Sequence, residues 1–389
     1  MAPPATLKLG TSVSLQGQEA SADLVTEAAV ALVKKITNCY VLPMIGVLGI
    51  VGNVLSLVVL AAQDRQQPMN IPLMGLAVSG MAYLFTRNID LGGCILKDTD
   101  AQAADDFYTI TQAHALWLSV LFSRITNALT ASIAWGRCLV VWYPLKARAW
   151  VTTRALCVTT SAIYVTTTIA HVPLFLRNEV IWVQLETTIN GQKTNVTVAR
   201  LQPTAFSIEN RYWLGTYKDM LLNVLFRLLP MVVVSFCTAL ILLSLKRQQQ
   251  WRLTALAASG GSGGKSHIMR EARLTITMVW LCCVFIVCSF PGLCLFTTRL
   301  VKPEFDFYGT FSNVFEITTA SNSVLEAINS AVFLVYVATG DNFLKKCKRS
   351  FLTLHTAASC CHRPAPRSEI AICTSNALPA NEMFAGNRY

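Results

Sequence analysis

Seven stretches of this chain stay apolar for as long as a bilayer core is thick, and no other feature restricts the fold as much. A helix needs about 20 mostly apolar residues to cross the hydrocarbon. Runs of that kind lie at about 39–62, 71–92, 112–142, 154–176, 219–245, 272–298 and 312–339. Lipid offers the backbone no hydrogen-bond partner, so each run must satisfy its own N–H and C=O groups as a helix. A closed barrel would show shorter segments of alternating polarity, which the chain lacks. The expected fold is an all-α membrane protein, a seven-transmembrane helix bundle.

Composition excludes the main competitors. Of 389 residues, 53% are hydrophobic and only 14% charged, against roughly 25% charged in soluble domains. The net charge of +11 is split into short segments between apolar runs. A nucleic-acid binder needs such charge on one wettable face, so no nucleic-acid partner is expected. The 13 cysteines do not read as a disulfide framework. Cys138, Cys157, Cys237, Cys282, Cys283 and Cys288 fall inside apolar runs, where thiols behave as small hydrophobes. No Cys/His spacing suggests zinc, and neither a metal nor a cofactor is expected. His114 and His171 lack a ligand partner at helical spacing and read as packing residues. The first 25 residues lack the basic start and apolar run of a cleavable signal peptide. Gly264-Lys265-Ser266 follows a Ser/Gly linker beginning at Ser259. A phosphate loop needs Gly at that first position and a preceding strand, so that reading is rejected.

Orientation follows from alternate connections. With the amino terminus outside, the inner segments hold 18 of the 32 Lys and Arg residues and 5 of the 21 acidic ones. The outer segments hold 12 and 14. Positive charge on the inner side therefore places the amino terminus outside. The sequon Asn195-Val196-Thr197 falls in an outer connection, as a glycosylation acceptor should. The chain divides into an outer tail (1–38), the helical bundle (39–340), a short amphipathic inner-face helix (341–352) and an inner tail (353–389). In that helix Phe343, Leu344, Phe351 and Leu352 alternate with Lys345, Lys346, Lys348 and Arg349, a pattern suited to anionic membrane lipid. Cys347, Cys360 and Cys361 are lipidation candidates.

Local motifs narrow the class. Gly49-Ile-Val-Gly52-Asn53 lies in span one, and Leu76-Ala77-Val78-Ser79 in span two. Span three ends Gly136-Arg137-Cys138 and continues to Pro144-Leu145-Lys146. Pro230 sits within span five, Phe285-Ile-Val-Cys288-Ser289-Phe290-Pro291 within span six, and Tyr336, Gly340 and Phe343 close span seven. In this order and spacing the chain resembles the rhodopsin-like (class A) G-protein-coupled receptors. Within them it is most similar to the invertebrate FMRFamide-type neuropeptide receptors, whose segment Arg270-Glu-Ala-Arg273-Leu-Thr275 also resembles. The resemblance covers about 39–351.

The resemblance implies a seven-helix receptor with Arg137, Pro144, Phe285, Pro291 and Tyr336 serving G-protein coupling and activation. Asn53, deep in an apolar helix, is expected to bind neighbouring helices. Several positions depart from the family. Gly80 stands where the family has Asp, Gly136 where it has Asp or Glu, Ser289 where it has Trp, and Val332 where it has Asn. With Gly80 and Val332 in place of two polar groups of the family's buried sodium site, no such site is expected. The outer cysteine of span three aligns near Gln112 and the loop 177–217 has no Cys, so the family's disulfide clamp is not expected.

Four charges lie within the spans: Arg124, Arg227, Glu316 and Glu326. Each costs about 2.5–3.5 kcal/mol on insertion scales unless paired. Two readings stand. One is a peptide pocket of Ser119, Arg124, Arg227, Glu316, Asn322 and Glu326, with a glutamate meeting a ligand guanidinium. The other is internal Arg–Glu pairing. By the resemblance, Ser119 in place of Asp argues against an amine ligand, and Glu326 in place of Lys excludes a retinal Schiff base. The expected function is reception of an extracellular peptide, FMRFamide-like, at the plasma membrane with transfer to a heterotrimeric G protein. No nucleophile–base pair marks an enzyme. Alternatives are a receptor-like chain that binds without coupling, or a small-solute transporter using the buried charges, although its internal repeats are absent.

Overall fold

The computed structural model describes residues 25–62, 68–97, 99–189, 192–258, 265–302, 304–306 and 309–331. Tyr336, the helix expected at 341–352, and Cys347, Cys360 and Cys361 lie outside the described residues, as does the end of the seventh span.

Span one is α1 (Glu27–Ile36), a π-helical turn (Thr37–Val41) and α2 (Leu42–Ala62) in continuous succession. It begins at Glu27 rather than near 39. Thr26 caps it by accepting the Ala29 N–H at 3.4 Å, and Glu27 complements the positive helix end. Its 36 residues reach about 54 Å, well beyond the roughly 30 Å thickness of the hydrocarbon. Span two is α3 (Asn70–Asn88), followed by α4 (Asp90–Lys97). Span three is α5 (Ala101–Trp142), whose 42 residues extend past the expected start at 112. Asp100 caps it by accepting the Gln102 and Ala103 N–H groups at 2.9 and 3.0 Å. Next come α6 (Pro144–Trp150) and span four, α7 (Thr153–Phe175).

The connection after span four then forms a hairpin of β1 (Asn178–Ile189) and β2 (Gln192–Pro203), antiparallel from Asn178 opposite Pro203 to Ile189 opposite Gln192. These strands depart from a purely α expectation, and they lie outside the bundle. After α8 (Ala205–Glu209), span five runs from α9 (Arg211–Thr216) through π-helical turns at Tyr217–Leu222 and Val224–Leu228 into α10 (Leu229–Ala258). Spans six and seven are α11 (Lys265–Val301) and α12 (Ser312–Ser330).

Among the described residues, five helical segments are long and apolar enough to cross a membrane. The other two spans, α3 and α12, have 19 residues each. In α12 the polarity comes from Asn313, Glu316, Asn322, Glu326 and Asn329, which suits a helix enclosed by others. Spans two, three, four and six meet in a core of Leu73, Leu76, Ile125, Leu129, Leu156 and Leu281. Spans three, five and six meet around Cys138, Val234, Cys237, Cys282 and Phe285.

The cysteines are not expected to form a disulfide framework, and the positions of the family's clamp lack Cys; one bond nevertheless forms elsewhere. Cys39 and Cys94 are bonded, with Cα atoms 5.8 Å apart. Spans one and two are antiparallel neighbours, so Cys39 near the amino-terminal end of span one meets Cys94 just past span two. With a sequence separation of 55, the bridge removes about 4 kcal/mol of unfolded-chain entropy. The amino-terminal end of span one also reaches span seven. Lys34 Nζ pairs with Glu316 at 3.0 Å, and Asn313 Nδ2 donates to the Val25 carbonyl at 3.0 Å. The hairpin is held to span three without a covalent clamp. Asp106 accepts the Ala199 N–H at 2.7 Å, and Gln102 Nε2 donates to the Thr197 carbonyl at 2.9 Å.

Candidate functional site

Proline chemistry opens the site. Pro230 has no N–H, so the Phe226 carbonyl four residues earlier loses its helical donor. Asn127 of span three supplies one, its Nδ2 standing 3.3 Å from that oxygen. The π turns just before Pro230 widen the helix, and Asn223 Nδ2 bonds the Lys218 carbonyl five residues back at 3.1 Å. π turns of this kind concentrate at functional sites. Here they lead span five into the bundle with Asn223 and Arg227 on its inner side.

Four spans converge on these residues. Arg227 Nη2 pairs with Glu326 Oε1 at 2.6 Å, and Arg227 Nη1 donates to the Gly292 carbonyl at 3.0 Å. Asn322, one turn before Glu326, donates to the same Oε1 at 3.0 Å. Ser123 of span three donates to Glu326 Oε2 at 3.3 Å. Beside it Arg124 donates to Asn223 Oδ1 at 3.2 Å. Gly292 is required by this geometry, since a Cβ there would overlap the Arg227 guanidinium and Asn322 Oδ1. Spans three, five, six and seven are thus joined through one charged junction.

The candidate pocket residues therefore separate. Arg124, Arg227, Asn322 and Glu326 lie together. Glu316 is held by Lys34 near the outer end of the bundle. Ser119 is buried and turns back on its own helix, donating to the Leu116 carbonyl at 2.7 Å. Arg227 and Glu326 are paired with each other, whereas Arg124 is bonded to a neutral amide and Glu316 to Lys34. Ser123, Asn127, Asn223 and Gly292 escape a reading that follows charge alone, and Lys34 lies before the expected start of span one. The signal was the i to i+4 spacing of Asn223 and Arg227, and the Gly that follows Pro291.

A second junction lies between spans one, two and seven. Asn53 is fully buried, and its Nδ2 donates to the Ser330 carbonyl at 2.9 Å. Ser330 ends α12, where carbonyls lack intrahelical donors. A Cβ at Gly80 would run into that same Ser330 oxygen. The residue where the family has Asp is here a space filled by the backbone of span seven.

Toward the opposite end of the bundle from the hairpin, Phe285 is buried among Cys282, Cys237 and Val234, one turn and a half before Pro291 within α11. Arg137 is half-buried near the end of α5, and Pro144 is exposed as the first residue of α6. A Cβ on Gly136 would come within 3.1 Å of Met69 Cε, so a methionine packs where the family's carboxylate would begin. His171 is buried, bonded to the Thr167 carbonyl at 2.8 Å and packed edge-on against Phe226. Asn195 is exposed on β2.

A bundle of membrane helices joined by polar junctions defines a multi-pass membrane protein. The chain belongs to the rhodopsin family of seven-transmembrane receptors, whose sequence model matches residues 52–328. It is 23% identical to the FMRFamide receptor of Drosophila melanogaster over 314 residues, 80% of this chain and 52% of that one. It is 28% identical to the B2 bradykinin receptor of Cavia porcellus over 153 residues, 38% of this chain and 37% of that one. The corresponding receptor of Oryctolagus cuniculus is 27% identical over 162 residues, 40% of this chain and 39% of that one. The chain thus spans about half or less of the length of these relatives. The family is a class of receptors, not of enzymes.

Proposed function

We propose that this chain receives an extracellular peptide at the plasma membrane and passes the signal to a heterotrimeric G protein. The observation that supports this most is the junction of Arg124, Arg227, Asn322 and Glu326 inside a bundle of the rhodopsin family. Intramembrane charges are rarely idle, and a ligand reaching this one would act on spans three, five, six and seven together. Activation is a population shift. Ligand contacts favour the arrangement open at the inner face, with Pro291 as the pivot of span six and Arg137 as the residue that meets the G protein. Two relatives carry names of peptides, FMRFamide and bradykinin, which supports a peptide and makes an FMRFamide-like one the leading candidate. Exposed Asn195 suits glycosylation of an outer hairpin, and basic residues of the inner segments suit anionic lipid. The departures at Gly80, Gly136 and Ser289 favour as second reading a receptor that binds without coupling.

Guanine-nucleotide exchange on G proteins, measured in membranes against a panel of peptides with amidated and with free carboxyl ends, tests the proposal. Exchange is expected with wild type and is expected to vanish in Arg137→Ala while peptide binding persists. Binding without exchange in wild type would establish the second reading.

A further inference from the structure

We infer that the junction at the centre of the bundle is an anion site, and that a ligand entering it presents a carboxylate rather than a guanidinium. The inference rests on the receptor reading for a peptide ligand, and it departs from the amidated candidate named there, because an amidated end carries no carboxylate. The charges do not balance. Two arginines, Arg124 and Arg227, face one carboxylate, Glu326. The next cation, Arg87, is already paired with Asp90 at 3.5 Å. Glu326 already accepts three hydrogen bonds: Arg227 and Asn322 donate to Oε1 at 2.6 and 3.0 Å, and Ser123 donates to Oε2 at 3.3 Å. An incoming guanidinium would compete with Arg227 for that carboxylate.

Arg124 has the opposite need. It is 8% exposed, and its hydrogen bond, at 3.2 Å, is to the neutral amide oxygen of Asn223. Its buried Nη1 has no acceptor among the described residues. A buried cation is retained where it is paired or hydrogen-bonded, and a guanidinium fits a carboxylate better than any other partner. Asn322 Oδ1 is also buried without a donor among the described residues. The last amide N–H of a peptide with a free carboxyl end supplies such a donor beside the anion. The shared chemistry is a small anion, which either a ligand carboxylate or a free inorganic ion could provide.

The test uses the full chain purified in detergent and needs neither a G protein nor a known ligand. It therefore fails independently of the signalling proposal. Thermal unfolding is followed in acetate, chloride and bulky isethionate at equal ionic strength. Acetate is expected to raise Tm saturably, by about 2 °C, relative to isethionate. Arg124→Gln is expected to lose that rise. Asn223→Ala, which keeps the cation and frees a second donor, is expected to retain it and covers the case in which Arg124→Gln does not fold. A rise with acetate and chloride alike supports a general small-anion site open to carboxylates. Chloride alone would overturn the carboxylate assignment. No saturable difference between salts, or an equal rise in Arg124→Gln, would overturn the site.

Discussion

Arg227 and Glu326 are each costly alone in a bilayer and tolerable together. Breaking a buried pair by removing one partner strands the other, at about 3–5 kcal/mol, whereas replacing both by apolar residues is often close to neutral. Arg227→Met and Glu326→Leu are therefore each expected to lower the thermal stability of the purified protein sharply. The double variant is expected to lie nearer wild type than either. Costs that simply add would show that the 2.6 Å contact contributes no coupling. The charges themselves were legible in the sequence, because any Arg or Glu inside an apolar run demands a reason. Their partners were not. Pairing across the sequence separation of 99 between Arg227 and Glu326 depends on which helix faces line up, and the π turns of span five reset that register without a mark in the apolar pattern.

Elements differ in how openly the sequence announces them. The spans follow from hydrophobic length alone, and their outer ends do not. α1 and the first turns of α5 are amphipathic extensions carrying Lys34, Gln102 and Asp106, which read as loop when judged by apolarity. Asn190-Gly191, a dipeptide typical of tight hairpin turns, was the available sign of β1 and β2. The Cys39–Cys94 bond was obscured because the family resemblance directs attention to span three. There, Asp106 and Gln102 hold the hairpin noncovalently. A hydrogen bond to a charged acceptor contributes about 1.5–3 kcal/mol, so Asp106→Ala is expected to speed amide exchange at the Ala199 N–H at least roughly tenfold. Global unfolding should shift little, since the hairpin lies outside the helical core. Unchanged exchange at Ala199, measured by hydrogen–deuterium exchange, would show that the 2.7 Å bond does not hold the loop.

At the scale of the molecule, small residues bring spans one, two and seven unusually close. A Cβ at Gly46 would meet the Asn88 side chain, one at Gly49 would meet Leu84 and Ala331, and one at Gly80 the Ser330 carbonyl. Without a hydrophobic force between helices in lipid, such close packing and the Asn53 hydrogen bond are what hold this side together. The opposite side is held by the charged junction, so one half of the bundle is fixed by backbone contact and the other by an ion pair. That division has meaning only if the hairpin and α1 face the outside and the Arg137 end faces the G protein. Epitope tags at the two chain ends test this directly. Antibody staining of intact cells is expected to reach the amino-terminal tag, and the carboxy-terminal tag only after permeabilisation. The reverse pattern would place Arg137 outside and contradict the account.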